Sequence, residues 1–168
     1  MYPTFAKENP NPNNLEKQSF YANGKLLITG EYLVLKGALA LAVPTVFGQE
    51  MSIERVREYE NTRVREDENT RVREDERGRG REISWRSFYK EQCWFEGKFG
   101  VKDLSIIKAS DSDRAGFISR LLDAANKMNP DHLAGGNSFE VETQMGFDPE
   151  WGLGSSSSLT VLVADWFR

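Results

Sequence analysis

Two segments of opposite periodicity meet at Trp151-Gly152-Leu153-Gly154-Ser155-Ser156-Ser157-Ser158, and their junction leaves little choice of local fold. Upstream, Phe139, Val141, Thr143 and Met145 alternate with Glu140, Glu142 and Gln144, the two-residue period of a strand with one buried face. Downstream, Leu159, Leu162, Val163 and Trp166 recur at helical spacing. The unit therefore reads strand, glycine-serine loop, helix. Gly152 and Gly154 admit backbone conformations closed to other residues and let the chain approach a ligand closely. The helix that follows presents free N–H groups and the positive end of its dipole, which favour an anion. Four serines add hydroxyls, and a hydroxyl can also ligate Mg²⁺. Such a set of groups describes a phosphate cradle. It is not a P-loop, because no Walker lysine is present, and Ser157 stands where the dinucleotide fingerprint needs its third glycine. The plainer alternative is that Ser155 or Ser156 simply caps the helix.

The rest of the chain supplies elements for a mixed sheet. Asn9 to Asn14 is rich in Asn and Pro, so residues 1–17 read as a flexible lead-in, with order beginning near Gln18. Ser19 to Ala22 suits a short strand, Asn23-Gly24 is a turn signal, and Lys25 to Ile28 resumes strand character before Thr29-Gly30-Glu31-Tyr32 breaks it. Ala38 to Val43 is the most apolar run and predicts a buried strand ending at Pro44. Met51 and Ile53 alternate with polar neighbours, as do Cys93, Phe95, Gly97 and Phe99, which predicts two further strands. Ser110 and Asp113 resemble a capping box. Behind them Ile118, Leu121, Leu122 and Ala125 mark an amphipathic helix over about Asp113 to Met128, stopped by Pro130.

Between these elements lies a tract of another kind. The octad Glu60 to Asp67 is repeated without change as Glu68 to Asp75, then decays into Glu76-Arg77-Gly78-Arg79-Gly80-Arg81-Glu82. Two polar octads cannot stack as a solenoid, which needs apolar faces. Residues 54–82 read as a solvated, mixed-charge insertion. Arg77 to Arg81 could also form a short RNA-binding patch, although interleaved acids nearly cancel its charge.

Composition narrows the function classes. Charged residues make up 29% and the net charge is −4, which speaks against a general nucleic-acid binder. No segment approaches the roughly 20 apolar residues that span a bilayer, so no membrane association is expected. The single cysteine, Cys93, allows no internal disulfide, and a reducing cytoplasm fits best. His132, the only histidine, receives no chemical role, and no Cys/His cluster suggests zinc.

Two segments resemble the GHMP kinases, the family of galactokinase, homoserine kinase, mevalonate kinase and phosphomevalonate kinase. Tyr21-Ala22-Asn23-Gly24-Lys25-Leu26-Leu27-Ile28-Thr29-Gly30-Glu31-Tyr32 and its continuation to Ala38 are similar to the family's first motif. Trp151 to Ser158 is similar in order and spacing to its phosphate loop. The likeness covers Phe20 to Gln49 and Ser138 to Arg168, not Glu54 to Glu82, and points to the mevalonate and phosphomevalonate kinase branch, GYDIA-type proteins in particular. It implies an α+β fold, a mixed sheet backed by helices, of the ribosomal protein S5 domain 2-like kind, with residues 18–168 forming the ATP-binding N-terminal domain. It also implies transfer of phosphate from Mg-ATP to a hydroxyl or phosphate of a small-molecule substrate.

By the same resemblance, Gly152, Leu153, Gly154, Ser155, Ser156 and Ser157 would hold the ATP phosphates, with Ser156 as the Mg²⁺ ligand. Lys25 would stand by the transferred phosphoryl group or the acceptor, and Glu31 would shape the acceptor side or orient Lys25. The branch's catalytic aspartate and acidic Mg²⁺ ligand would fall beyond Arg168, as would the C-terminal domain, and Asp165 does not take the aspartate's place. A helix still running at the last residue suggests truncation, with an apolar stripe left short of partners. Two alternatives stay open: an incomplete, catalytically incompetent fragment, and a binding module that uses the arginine-rich arm. The acceptor and the oligomeric state are not specified by these residues.

Overall fold

A computed structural model describes residues 17–30, 33–56 and 81–168. Lys17–Thr29 (β1), Leu41–Val56 (β2), Glu82–Tyr89 (β3), Gln92–Gly100 (β4), Ile106–Ala109 (β5) and Ser138–Met145 (β6) form one sheet in the order β1-β2-β6-β3-β4-β5. Neighbours are antiparallel except β3 and β6, which run parallel. Two helices, Ser112–Met128 (α1) and Ser155–Trp166 (α2), back it. The architecture is thus α+β, with a mixed sheet.

Period-two patterning decides which face is covered. On β6, Phe139, Val141, Thr143 and Met145 are all buried, and they meet Met51 and Ile53 of β2, Ile83 and Trp85 of β3, and Phe95 and Phe99 of β4. The helices close this layer with Ala115, Ile118, Leu122 and Ala125 from α1 and Leu162, Val163 and Trp166 from α2. Each large side chain sealed in this way contributes about 1.5–3 kcal/mol by leaving water. One buried polar group is satisfied within the sheet: Trp85 Nε1 donates to Ser87 Oγ at 3.1 Å, and Thr143 Oγ1 donates to the same oxygen at 2.9 Å. The uncovered face carries ion pairs such as Arg86 with Glu142 at 2.6 Å and Lys98 with Glu82. Half-exposed pairs of this sort add little stability.

Several expectations are corrected. Asn23-Gly24 makes no turn; β1 continues through it with a register shift against β2 between Asn23 and Lys25. Asn23 Nδ2 donates to the Thr45 carbonyl at 2.7 Å, and a Cβ on Gly24 would lie 3.0 Å from the Leu153 carbonyl oxygen. The glycine there serves close approach, not chain reversal. Ala38 to Val43 is not a buried strand. Ala38 to Ala40 precede β2, while Leu41 and Val43 within it are exposed. Nor does Pro44 end the strand. β6 pairs with β2 only from Gln49 onward, so Pro44 has no ladder bond to lose on that side.

Glu54 to Val56 belong to β2 and Glu82 opens β3, so the proposed 54–82 insertion is narrower than its sequence suggested. Its octads lie outside the described residues, as do residues 1–16, Glu31 and Tyr32. β3 and β5 were not foreseen from patterning. The cap of α1 is Asp111, whose Oδ1 accepts from the Arg114 N–H at 2.9 Å, whereas Ser110 Oγ accepts from the Glu96 N–H at 3.0 Å and so ties the helix start to β4. The α2 stripe is not short of partners, since Leu162, Val163 and Trp166 are buried and Leu159 packs against the core. Among the described residues no helix is long and apolar enough to cross a membrane.

Candidate functional site

The loop between β6 and α2 is built from both ends. Asp148 Oδ1 accepts from the Glu150 N–H at 2.9 Å and sets a short 3₁₀ turn, Pro149–Trp151, while Tyr89 Oη donates to Asp148 Oδ2 at 3.3 Å. Trp151 meets Phe47 of β2 edge to face at 5.6 Å. Gly152 (φ +67°) and Gly154 (φ +73°) then adopt the left-handed conformation on either side of Leu153. This pair of left-handed glycines turns the chain into α2, whose N-cap is Gly154.

At the start of α2 the four serines divide into two pairs. Ser157 Oγ donates to the Gly154 carbonyl at 2.7 Å, and the Ser157 and Ser158 N–H groups bond the same oxygen at 3.0 Å. Ser158 is buried, with its hydroxyl beside Gln49. For the Ser155 and Ser156 N–H groups and hydroxyls, no partner occurs among the described residues, and Ser156 is exposed. Thus Ser155 and Ser156 offer donors outward while Ser157 and Ser158 stabilise the turn. A simple side-chain cap by Ser155 or Ser156 does not occur, because the N-cap position belongs to Gly154.

Lys25, 129 positions earlier than Gly154, is brought to this loop. Its N–H donates to the Leu153 carbonyl at 2.8 Å. A Cβ placed on Gly154 would sit 3.1 Å from Lys25 Cγ and 3.2 Å from its Cε, so the lysine stem lies along the glycine. The predicted residues Lys25, Gly152, Leu153, Gly154, Ser155, Ser156 and Ser157 therefore converge, whereas Glu31 lies outside the described residues.

Beside the loop opens a cavity of about 360 Å³ between the N-terminal halves of α1 and α2. Ser155, Ser156 and Leu159 form one wall, Asp113, Arg114 and Phe117 another, and Gln49 and Trp94 also line it. The Arg114 guanidinium lies 4.9 Å from the Trp94 ring centroid, and Trp94 Nε1 is buried without a partner among the described residues. Sequence reading gave Gln49, Trp94 and Arg114 no role and read Asp113 only as part of a capping box, since the four come from three separate elements and no local pattern joins them. The exposed apolar residues beyond Lys25, including Leu26, Ile28, Leu41 and Val43, do not line this cavity.

The described residues contain no group of three or more His, Cys, Asp or Glu able to hold a metal. The donors present, the Ser156 hydroxyl with the Asp113 carboxylate lining the same cavity, fit a Mg²⁺ that arrives with phosphate oxygens, not one held by protein alone. Compared with known proteins, the chain matches no family model and no curated sequence.

Proposed function

We propose that this chain is the nucleotide-binding part of a small-molecule kinase of the GHMP type, with a ribosomal protein S5 domain 2-like fold and a cytoplasmic setting. The observation that carries the reading is the convergence of Lys25 with Gly154 and the outward donors of Ser155 and Ser156: a cation and a helix N-terminus face one small region, as a triphosphate requires. The adjoining cavity shares Ser155 and Ser156 with the loop, which suits a base and a phosphate tail bound as one ligand.

In the proposed reaction an oxygen of the small-molecule acceptor bonds to the γ-phosphorus of ATP as the bond to the bridging oxygen breaks, ADP leaves, and the proton of an acceptor hydroxyl passes to solvent. The Lys25 ammonium offsets charge on the transferred group, and the loop N–H groups orient the phosphates. Mg²⁺, when bound with ATP, supplies further charge neutralisation, with Ser156 as its protein ligand. Glu31 is proposed to act on the acceptor side. The mevalonate or phosphomevalonate type of acceptor rests on resemblance alone.

Mg-ATP titration of the chain and of Lys25→Met tests the reading. The variant keeps the stem against Gly154 and removes the charge, so affinity should fall about tenfold, the size of one charge-assisted contact. Equal affinity for both proteins would remove Lys25 from the site, and no Mg-ATP binding by the unaltered chain would sink the nucleotide reading.

A further inference from the structure

The floor of the cavity holds a buried amide with an unsettled orientation. Gln49 is 2% exposed and lines the cavity, yet only one end of its side chain is engaged among the described residues. That end meets Ser158 Oγ, which lies 3.0 Å from Gln49 Oε1 and also 3.0 Å from the Ser155 carbonyl oxygen. A hydroxyl has one proton to give and cannot serve both acceptors at once.

Two arrangements satisfy the same atoms. In one, Ser158 donates to Gln49 Oε1, and the Gln49 NH₂ group is the free end. In the other, Ser158 donates to the Ser155 carbonyl and accepts from a Gln49 amide turned over, so the Gln49 oxygen is the free end. The two ends of an amide are nearly equal in size, so the turn needs no extra space. The free end is not sealed from solvent, since it is not among the buried polar atoms left without a partner.

We infer that Gln49 reads the polar edge of the ring seated in the cavity, and that it does so reversibly, presenting a donor or an acceptor according to where Ser158 sends its proton. The inference rests on the nucleotide reading above and adds a prediction about base choice. A fixed donor would select one pattern of ring heteroatoms, whereas a reversible amide accepts both an adenine and a guanine edge.

The test titrates the chain, Gln49→Met and Gln49→Glu with Mg-ATP, Mg-GTP and inorganic tripolyphosphate. The unaltered chain should bind the two nucleotides within about threefold of each other, a gap smaller than one neutral hydrogen bond contributes. Gln49→Met keeps volume but loses the polar end, so both nucleotides should weaken about three- to tenfold while tripolyphosphate is unchanged. Gln49→Glu must accept from Ser158 and shows only an acceptor to the ring, which suits the adenine amino group and opposes the guanine O6, so it should lose more affinity for GTP than for ATP.

Nucleotide affinities unchanged in both variants would overturn the role of Gln49, and the glutamate variant decides it if the methionine variant does not fold. Discrimination above about tenfold in the unaltered chain would overturn reversibility. Tripolyphosphate bound as tightly as either nucleotide would show that no base enters the cavity, which overturns this inference and leaves the phosphate loop standing. Failure of all three ligands to bind overturns the nucleotide reading and this inference with it.

Discussion

Replacing Gly154 by alanine should cost more than replacing Gly152, although both residues are left-handed. The backbone penalty is similar, since φ is +73° at Gly154 and +67° at Gly152, and an L residue in that region costs about 1–2 kcal/mol. Part is offset because alanine lowers the entropy of the unfolded chain by about 0.4–1 kcal/mol. Gly152→Ala, whose Cβ would meet nothing within 4 Å, should therefore lose about 0.5–1 kcal/mol. At Gly154 the new Cβ would fall 2.6 Å from Ser157 Oγ and 3.1 Å from Lys25 Cγ. Ser157 must then leave its 2.7 Å bond to the Gly154 carbonyl, adding about 1 kcal/mol, and the lysine stem must shift. The total for Gly154→Ala is about 1.5–2 kcal/mol before the shift of the lysine stem is added. Urea unfolding followed by tryptophan fluorescence measures both values on one scale. Mg-ATP titration of the same proteins should show the larger loss for Gly154→Ala, because the left-handed turn at Gly154 leads directly into the Ser155 and Ser156 donors. Equal losses at the two positions, within about 0.5 kcal/mol, would refute the claim that Lys25 and Ser157 press on Gly154.

Three further outcomes follow from other parts of the molecule. Burial beside the Trp166 and Phe167 rings, and then the Arg55 charge, hold the His132 imidazole below its ordinary 6.5. Its contribution is fully present above pH 6.5 and is lost as pH falls from there through the lowered folded value, because the unfolded chain takes up the proton first. Urea midpoints should accordingly drop on acidification, and His132→Phe should flatten that slope. If Ser156 holds Mg²⁺ as proposed, Ser156→Ala should weaken nucleotide binding more in the presence of Mg²⁺ than with EDTA; equal effects would remove Ser156 as a ligand. Asp111→Ala should lower stability by about 0.5–2 kcal/mol through loss of the α1 cap, and chemical denaturation that shows no change would return the cap to another residue.

The local signals in the sequence were strong wherever one side chain's neighbours follow from periodicity. The alternation from Phe139 to Met145 and the helical spacing from Ile118 to Ala125 each located a buried face, because exclusion of water acts on every residue of a regular element alike. Signals failed where a residue type had two uses. Asn23-Gly24 resembles a turn, but its glycine is needed for a carbonyl passing 3.0 Å from its missing Cβ. Ser110 resembles a cap, but its hydroxyl is taken by β4 and Asp111 takes the helix. The apolar run at Ala38 resembles a core strand, but strand order places it beyond the reach of β6, where nothing among the described residues covers Leu39.

By itself the sequence determined the strand-loop-helix unit, its pair of glycines and its row of serines, because these depend on backbone conformations and dipoles confined to the 29 residues from Ser138 to Trp166. Only the tertiary structure decided that Lys25 lies on Gly154, that Ser158 is committed to Gln49, and that Trp94 and Arg114 share a cavity with Ser156. These placements depend on strand order and on which helix face meets which strand. They are set by the combined burial of the whole core, a sum to which no short stretch of sequence has access.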